Sequence, residues 1–427
     1  MKIHPFFLLF AALAAMFGVQ TLELSGPLRS LVIAPIGLFV VAATLWVLHE
    51  RRAVFWTAAV MAIPALINTI FTPGPLEAAE ITESGFHWPF FCFAAVAVTM
   101  QVVRSERASG AAVVGSICAY LMISFAFASL YVNLEMTWPG SFGFREPPPA
   151  YLLFSKLSYF SYVTLTTLGY GDIAPLSDLA RAFVTLESVV GILFPSVVIA
   201  RIVSLAVSGG GRPFALPVSG LRRPGRFELL IGLEIAIMLL GPLENSPATR
   251  GALRLLTTAL LLAALYAGSN HPPTRAIGIA LGSFSVVGRW WPEAGPVWVP
   301  AAAMVSQTIF LALVSGSLLR WLIGEKRVTR DLLLAAFALF MLLGYVWSSL
   351  YNLMELQAPG SIGGPEGHPV TQTDLLYYSF MTLTTTGFGD FAPISRAAQQ
   401  VATLEALVGI LFPTVLVARL VALYQTD

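Results

Sequence analysis

Two stretches decide the reading of this chain: TLTTLGYGDIAP at Thr164–Pro175 and TLTTTGFGDFAP at Thr382–Pro393, 218 residues apart. A second pair follows at the same offset, TLESVVGILFPSVVIARIV at Thr185–Val203 and TLEALVGILFPTVLVARLV at Thr403–Val421. Upstream, SLYVNLEMTWPGS (Ser129–Ser141) returns as SLYNLMELQAPGS (Ser349–Ser361) at an offset of 220, so the intervening loop is two residues shorter in the second copy. Blocks recurring in one order at one long period make a tandem repeat. The halves are expected at 1–207 and 227–427, joined by a Gly-, Pro- and Arg-rich cytoplasmic linker at 208–226, with the repeated modules at 111–205 and 331–423.

The blocks sit in an unusually apolar chain. Of 427 residues, 57% are hydrophobic and 11% charged, against about 25% charged in ordinary soluble domains. A soluble fold cannot hide that much apolar surface, so soluble enzymes and nucleic-acid binders are excluded, and a net charge of +1 supplies no basic field for nucleic acid. Cys92 and Cys118 lie inside apolar runs and read as small buried hydrophobes, with no disulfide framework or CxxC metal site. His4, His49, His87, His271 and His368 are scattered and form no HExxH-type pair. No catalytic constellation is present, so an enzyme is not expected, nor a cofactor. The expected class is an all-α integral membrane protein.

A membrane-crossing helix needs roughly 20 apolar residues. Spans are expected at Pro5–Leu22, Ser30–Leu48, Ala53–Leu76, Ser84–Val103, Ala108–Leu134 and Leu179–Leu205. The second half repeats the count at Phe227–Leu243, Leu255–Gly268, Ala276–Gly288, Trp298–Leu319, Leu332–Met354 and Ala397–Leu423. This predicts about twelve transmembrane helices in two parallel six-helix repeats, the Ala276 segment being the shortest. Arg51/Arg52, Arg104/Arg107, Arg212/Arg222/Arg223/Arg226, Arg275 and Lys326/Arg327/Arg330 fall in every second loop, while Glu77, Glu80 and Glu83 crowd an opposite one. That bias places both termini in the cytoplasm. The N-terminal run Pro5–Ala15 also fits a signal peptide, whose removal would leave the remaining topology unchanged.

Within each repeat the order is an apolar span, an outside loop, a short segment (Tyr151–Thr166, Asp374–Thr384), TTxG[YF]GD and another apolar span. The short segments can re-enter the membrane but are too short and polar to cross it. A non-helical glycine stretch at membrane depth is tolerated only where it lines a watery cavity or is buried in protein. TVGYG is the potassium-channel filter, whose carbonyls replace the ion's hydration shell. One GYG would be weak; two, each between spans on the outer face, are not.

On these residues the chain resembles the potassium-channel pore family, with tandem modules similar to two-pore-domain channels. The resemblance covers the two modules, under half of the chain. It implies a filter of Thr167, Leu168, Gly169, Tyr170 and Gly171 in the first copy and Thr385, Thr386, Gly387, Phe388 and Gly389 in the second, with K⁺ as the only bound ion. It implies that Asp172 and Asp390 support the filter by bonding pore-helix aromatics, matched here by Tyr159 and Tyr377. Thr386 departs from the usual Val or Ile and Phe388 lacks a phenolic hydroxyl; both side chains are expected to point away from the ions.

Gly191 and Gly409 match the family's inner-helix hinge, though a small residue for close packing would look the same. Pro195 and Pro413 should kink the helix near a cytoplasmic gate, which Phe194 and Phe412 could narrow. The intramembrane Glu187 and Glu405 could attract cations or hydrogen-bond the back of the pore helix. Arg201 and Arg419 are expected to snorkel to headgroups, and Glu234 to lie near the cytoplasmic interface. The fourth spans carry no arginine ladder, so steep voltage gating is not expected, and the short tail after Leu423 leaves no room for a soluble sensor. The expected protein is a K⁺-selective channel in the cell inner membrane. A less selective cation channel and a twelve-helix secondary transporter are the alternatives, the latter disfavoured because its site would lie at midplane. A filter needs four carbonyl strands and one chain supplies two, so a homodimer in the bilayer is expected.

Overall fold

The computed structural model describes residues 4–20, 27–49, 51–71, 87–103, 110–144, 148–149, 152–207, 225–243, 247–268, 272–291, 298–325, 328–365 and 370–425. The linker residues 208–224, with Arg212, Arg222 and Arg223, lie outside them, as do Glu77, Glu80, Glu83, Arg104, Arg107, Lys326 and Arg327.

The first half contains α1 (Pro5–Gln20), α2 (Pro27–Leu48), α3 (Arg52–Phe71), α4 (His87–Val103), α5 (Gly110–Thr137), β1 (Phe142–Phe144), α6 (Leu153–Leu165), β2 (Ile173–Pro175) and α7 (Asp178–Val207). The second contains α8 (Arg226–Leu240), α9 (Pro247–Gly268), α10 (Pro272–Arg289), α11 (Trp298–Gly324), α12 (Arg330–Gln357), β3 (Ile362–Gly363), α13 (Gln372–Leu383), β4 (Ala392–Pro393) and α14 (Arg396–Gln425). Six stretches are long and apolar enough to cross a membrane: Gly110–Thr137, Asp178–Ile199, Ala248–Ala267, Trp298–Gly324, Arg330–Gln357 and Arg396–Val421. These include the two long helices of each repeated module. Pro5–Val19, Pro35–Leu48, Arg52–Pro64 and His87–Val103 are apolar but shorter. At the level of length and apolarity, then, six of the expected twelve crossings are present among the described residues.

Several hydroxyls inside the apolar helices are satisfied within their own helix. Thr44 donates to the Val40 carbonyl at 2.7 Å, Ser129 to Phe125 at 2.9 Å and Thr257 to Leu253 at 2.8 Å. In hydrocarbon no water would otherwise pair them. The helices α7 and α14 run unbroken through Pro195 and Pro413.

Packing divides the chain into two compact units that differ from the sequence halves. The first unit is Met1–Thr166, Asp172–Leu176 and Val197–Ala215; the second is Thr167–Gly171, Ser177–Ser196 and Leu216–Asp427. The first GYG strand and the N-terminal part of α7 thus belong with the second half. In the first unit, Tyr131, Phe142 and Phe160 form a ring cluster with centroids 5.1–5.6 Å apart, which anchors β1 on α5 and α6. In the second, Phe227, Leu230, Leu261, Phe310, Leu318 and Leu339 head a buried core shared by α8, α9, α11 and α12. Glu234 is fully buried in this second unit, and neither of its carboxylate oxygens has a hydrogen-bond partner. Tyr345 donates to its backbone carbonyl at 2.7 Å.

Candidate pore site

Each module closes the loop around its glycine motif with the same devices. Antiparallel β1–β2 pairs Phe142 with Pro175 and Phe144 with Ile173; β3–β4 pairs Ile362 with Pro393 and Gly363 with Ala392. The carboxylate of Glu135 accepts from the Gly140 and Phe142 amides at 2.8 and 2.9 Å. Glu355 accepts from Gly360 and Ile362 at 2.9 and 2.5 Å. The strand entering the short helix is therefore tied to the strand leaving the glycine motif. Sequence reading missed these glutamates as functional residues, although their common place in SLYVNLEM and SLYNLMEL was visible.

The short helices α6 and α13 lead directly into the glycine motifs. The α13 start is fixed by a capping box, in which Asp374 accepts from the Thr371 amide at 2.9 Å and Thr371 accepts from the Asp374 amide at 3.2 Å. At its other end the Thr386 and Gly387 amides donate to the Met381 carbonyl at 2.9 and 3.2 Å, so the motif begins by folding back on the helix. A helix C-terminus carries partial negative charge, favourable to a cation by about 0.3–1 kcal/mol.

The backbone of both motifs alternates in hand. Thr167, Gly169 and Gly171 have φ of 55°, 54° and 73°, and Thr385, Gly387 and Gly389 have 57°, 55° and 80°. Leu168, Tyr170, Thr386 and Phe388, between them, are not in the positive-φ region. Residues of positive and non-positive φ in alternation turn successive carbonyls toward a common side. The two motifs also approach closely within the second unit. A Cβ at Gly169 would fall on the Thr386 carbonyl oxygen, and one at Gly171 on that of Phe388.

Their surroundings are unequal. Thr386 and Phe388 are 2% and 7% exposed, whereas Leu168 and Tyr170 are 51% and 66% exposed. The Thr386 hydroxyl lies 2.8 Å from that of Thr384, which donates to the Phe380 carbonyl at 2.7 Å. Tyr377 is buried and Tyr159 is not. Tyr377 and Asp390 interact electrostatically, although the Tyr377 hydroxyl and Asp390 Oδ2 lack a hydrogen bond of ordinary geometry. Burial pushes the Asp390 carboxyl above the usual carboxylate range, with Tyr377 and Arg181 pulling it back down. Asp172 is exposed.

Arg181, near the start of α7, covers the second motif's back. Its guanidinium bonds Asp374 at 2.5 Å and lies 4.9 Å from the Phe391 ring centroid and 5.5 Å from that of Tyr377. Asp178 is a further partner at 3.4 Å. Both Arg181 and Asp374 are buried. In the sequence Arg181 is only an interruption of an apolar run.

Glu187 and Glu405 are both fully buried. Glu405 accepts from Tyr351 of α12 and Ser379 of α13, each at 2.6 Å, and Ser379 is also 2.9 Å from the Gly344 carbonyl. Both carboxylate oxygens are thus taken up by hydroxyls of the two neighbouring helices. Arg419 does not simply reach for headgroups: it donates to the carbonyls of Ile323 and Glu325 at the end of α11, at 2.5 and 2.8 Å. The Arg201 side chain lies outside the described residues.

Gly191 is buried in α7, while Phe194 and Pro195 are half-buried. A Cβ on Gly409 would strike the Leu383 carbonyl, so this glycine lets α14 lie against the end of α13. Gly409→Ala is expected to cost about 1–3 kcal/mol by overpacking against backbone that cannot yield. A thermal melt in detergent checks this; an unchanged midpoint would show that the helices part freely here, as a hinge requires.

No curated protein and no solved structure matches the chain. A family model described as "Ion channel" matches it twice, at residues 117–208 and 333–426, which span the helix, short helix, glycine motif and helix of each module. Each of the two modules is thus similar to that ion-channel family, an arrangement consistent with a tandem-pore channel, in a polypeptide whose apolar helices mark it as a multi-pass membrane protein.

Proposed function

We propose that the protein is a passive, potassium-selective channel whose filter is built from Thr167–Gly171 and Thr385–Gly389 of two identical chains. The observation that carries this reading is the shared φ alternation at Thr167, Gly169, Gly171 and Thr385, Gly387, Gly389. Carbonyls turned to one side can replace a cation's hydration shell, with no side chain required at the ion. The burial of Thr386 and Phe388 supports it, since substitutions behind the strand leave the carbonyl row unaltered.

Two strands make half of a fourfold cage. The exposure of Leu168 and Tyr170, against the burial of Thr386 and Phe388, supports a homodimer in which a second chain covers the first copy's back. The short helices re-enter from the outer face, and the twelve longer helices cross or insert in the cell inner membrane with both termini cytoplasmic. Gly191, Pro195, Gly409 and Pro413 shape the inner end of the conduction path. No cofactor is assigned.

Purified protein in planar bilayers, under opposed K⁺ and Na⁺ gradients, tests the function. The reversal potential should follow the K⁺ gradient at about 59 mV per tenfold change. A potential that follows both ions would establish the less selective cation channel instead. Absence of current with slow, proton- or sodium-coupled uptake would establish the transporter. Mass measurement in lipid discs should give two chains.

A further inference from the structure

A groove unconnected with the glycine motifs runs between α4 and the α2–α3 turn of the first unit, with a cavity of about 230 Å³. On one side Phe93, Val96, Ala97 and Met100 recur at the three- and four-residue spacing that keeps them on one face of α4, and Gln101 ends the stripe. On the other side Leu48 and Val54 flank Arg51. Val96 and Met100 are exposed, so the long side of the groove is open. The groove is thus apolar along most of its length and polar at one end, where Arg51 and Gln101 stand. Gln101 Nε2 donates to the Val47 carbonyl at 3.3 Å, which ties the end of α4 to the end of α2, while its Oε1 is buried without a hydrogen-bond partner. No acidic side chain lines the groove among the described residues. The segments 49–52 and 104–109 hold four arginines against two glutamates; Glu50 and 104–109 lie outside the described residues.

We propose that this groove binds one anionic phospholipid whose headgroup carries a hydroxyl, of the phosphatidylglycerol class. The phosphate lies at Arg51, the headgroup hydroxyl donates to Gln101 Oε1, and an acyl chain lies along the α4 stripe. Each part answers a separate feature. Basic pockets between membrane helices take anionic headgroups. A buried acceptor left unpaired is costly, and a hydroxyl donor removes that cost. The apolar walls would take any lipid chain, so it is the polar end that selects. None of the residues assigned to ion conduction takes part, and the site stands or falls separately from the channel reading.

To test this, full-length protein is freed of lipid in detergent, titrated with phosphatidylglycerol and weighed by native mass spectrometry. One molecule should bind ahead of the rest. Arg51→Gln should weaken it roughly fivefold or more, the effect of one interfacial arginine. Arg52→Gln removes the same charge from the same turn but not from the groove, and should weaken it less. Both arginines are exposed, so these variants keep the fold. Phosphatidylcholine, without net charge, and glycerol phosphate, without chains, should bind severalfold more weakly than phosphatidylglycerol. Gln101→Leu should weaken phosphatidylglycerol severalfold and leave phosphatidic acid, which has no headgroup hydroxyl, unchanged. Equal losses from Arg51→Gln and Arg52→Gln would reduce the site to general surface charge, and equal binding of phosphatidylcholine would reduce it to boundary lipid; either overturns the proposal. Glycerol phosphate binding as tightly as the lipid would make this a free-anion site and overturn the role of the groove. Undiminished phosphatidylglycerol binding in Gln101→Leu would overturn the placement of the hydroxyl.

Discussion

Gly169→Ala is expected to abolish potassium-selective current in a protein that still reaches the membrane. Two costs coincide at this position. Its φ of 54° lies in the left-handed region, which costs a residue with a side chain about 1–2 kcal/mol. The added methyl would also land on the Thr386 carbonyl oxygen, one of the groups proposed to hold the ion. Relief requires one strand to move, and a carbonyl cage works only at fixed spacing. Gly387 carries the same backbone cost, with a φ of 55°. Within the single chain an added Cβ there would meet nothing within 4 Å, but in the proposed dimer it would meet the first glycine motif of the second chain as Gly169 meets Thr386, so Gly387→Ala should abolish selective current as well. Bilayer recording of both variants checks this. Equal, parent-like selectivity in both would remove the glycine strands from the ion path.

Glu405→Leu is expected to cost far more stability than Glu405→Gln. The carboxyl group joins three helices, accepting from Tyr351 and Ser379 while Ser379 also reaches Gly344. Glutamine can replace this set, its carbonyl accepting from Tyr351 and its amide donating to the Ser379 oxygen, which then keeps Gly344. Leucine fills the space but takes the acceptor from the Tyr351 hydroxyl, at about 1–3 kcal/mol for a buried donor left without one, while Ser379 keeps the Gly344 carbonyl. Thermal unfolding should show the glutamine variant near the parent and the leucine variant several degrees below it. A leucine variant with parental stability and altered conductance would instead make Glu405 a cavity charge.

The module order and the glycine motifs were legible because they rest on backbone demands that few residues meet: Gly169 and Gly387 at positive φ, framed by apolar runs. Glu405 stood out as a carboxylate in a span, but its choice between cavity and hydrogen bond depended on Tyr351, 54 residues away. The Arg181–Asp374 pair joins residues 193 apart on different repeats, and no local pattern announces such a contact. Nor could sequence have foretold that Phe388 is covered and Tyr170 exposed, because the motifs that carry them differ at few positions. Burial there is decided by what lies behind each strand.

The same ion pair bears on the repeat itself. Arg181 and Asp374 lie on different repeats, and at the 218-residue offset their counterparts are Gln399 and Lys156, so the two copies carry different charges at this contact. A second half put in place of the first would bring no Arg181 to Asp374, and a first half put in place of the second would bring no Asp374 to Arg181. The like halves of this chain are therefore not interchangeable parts.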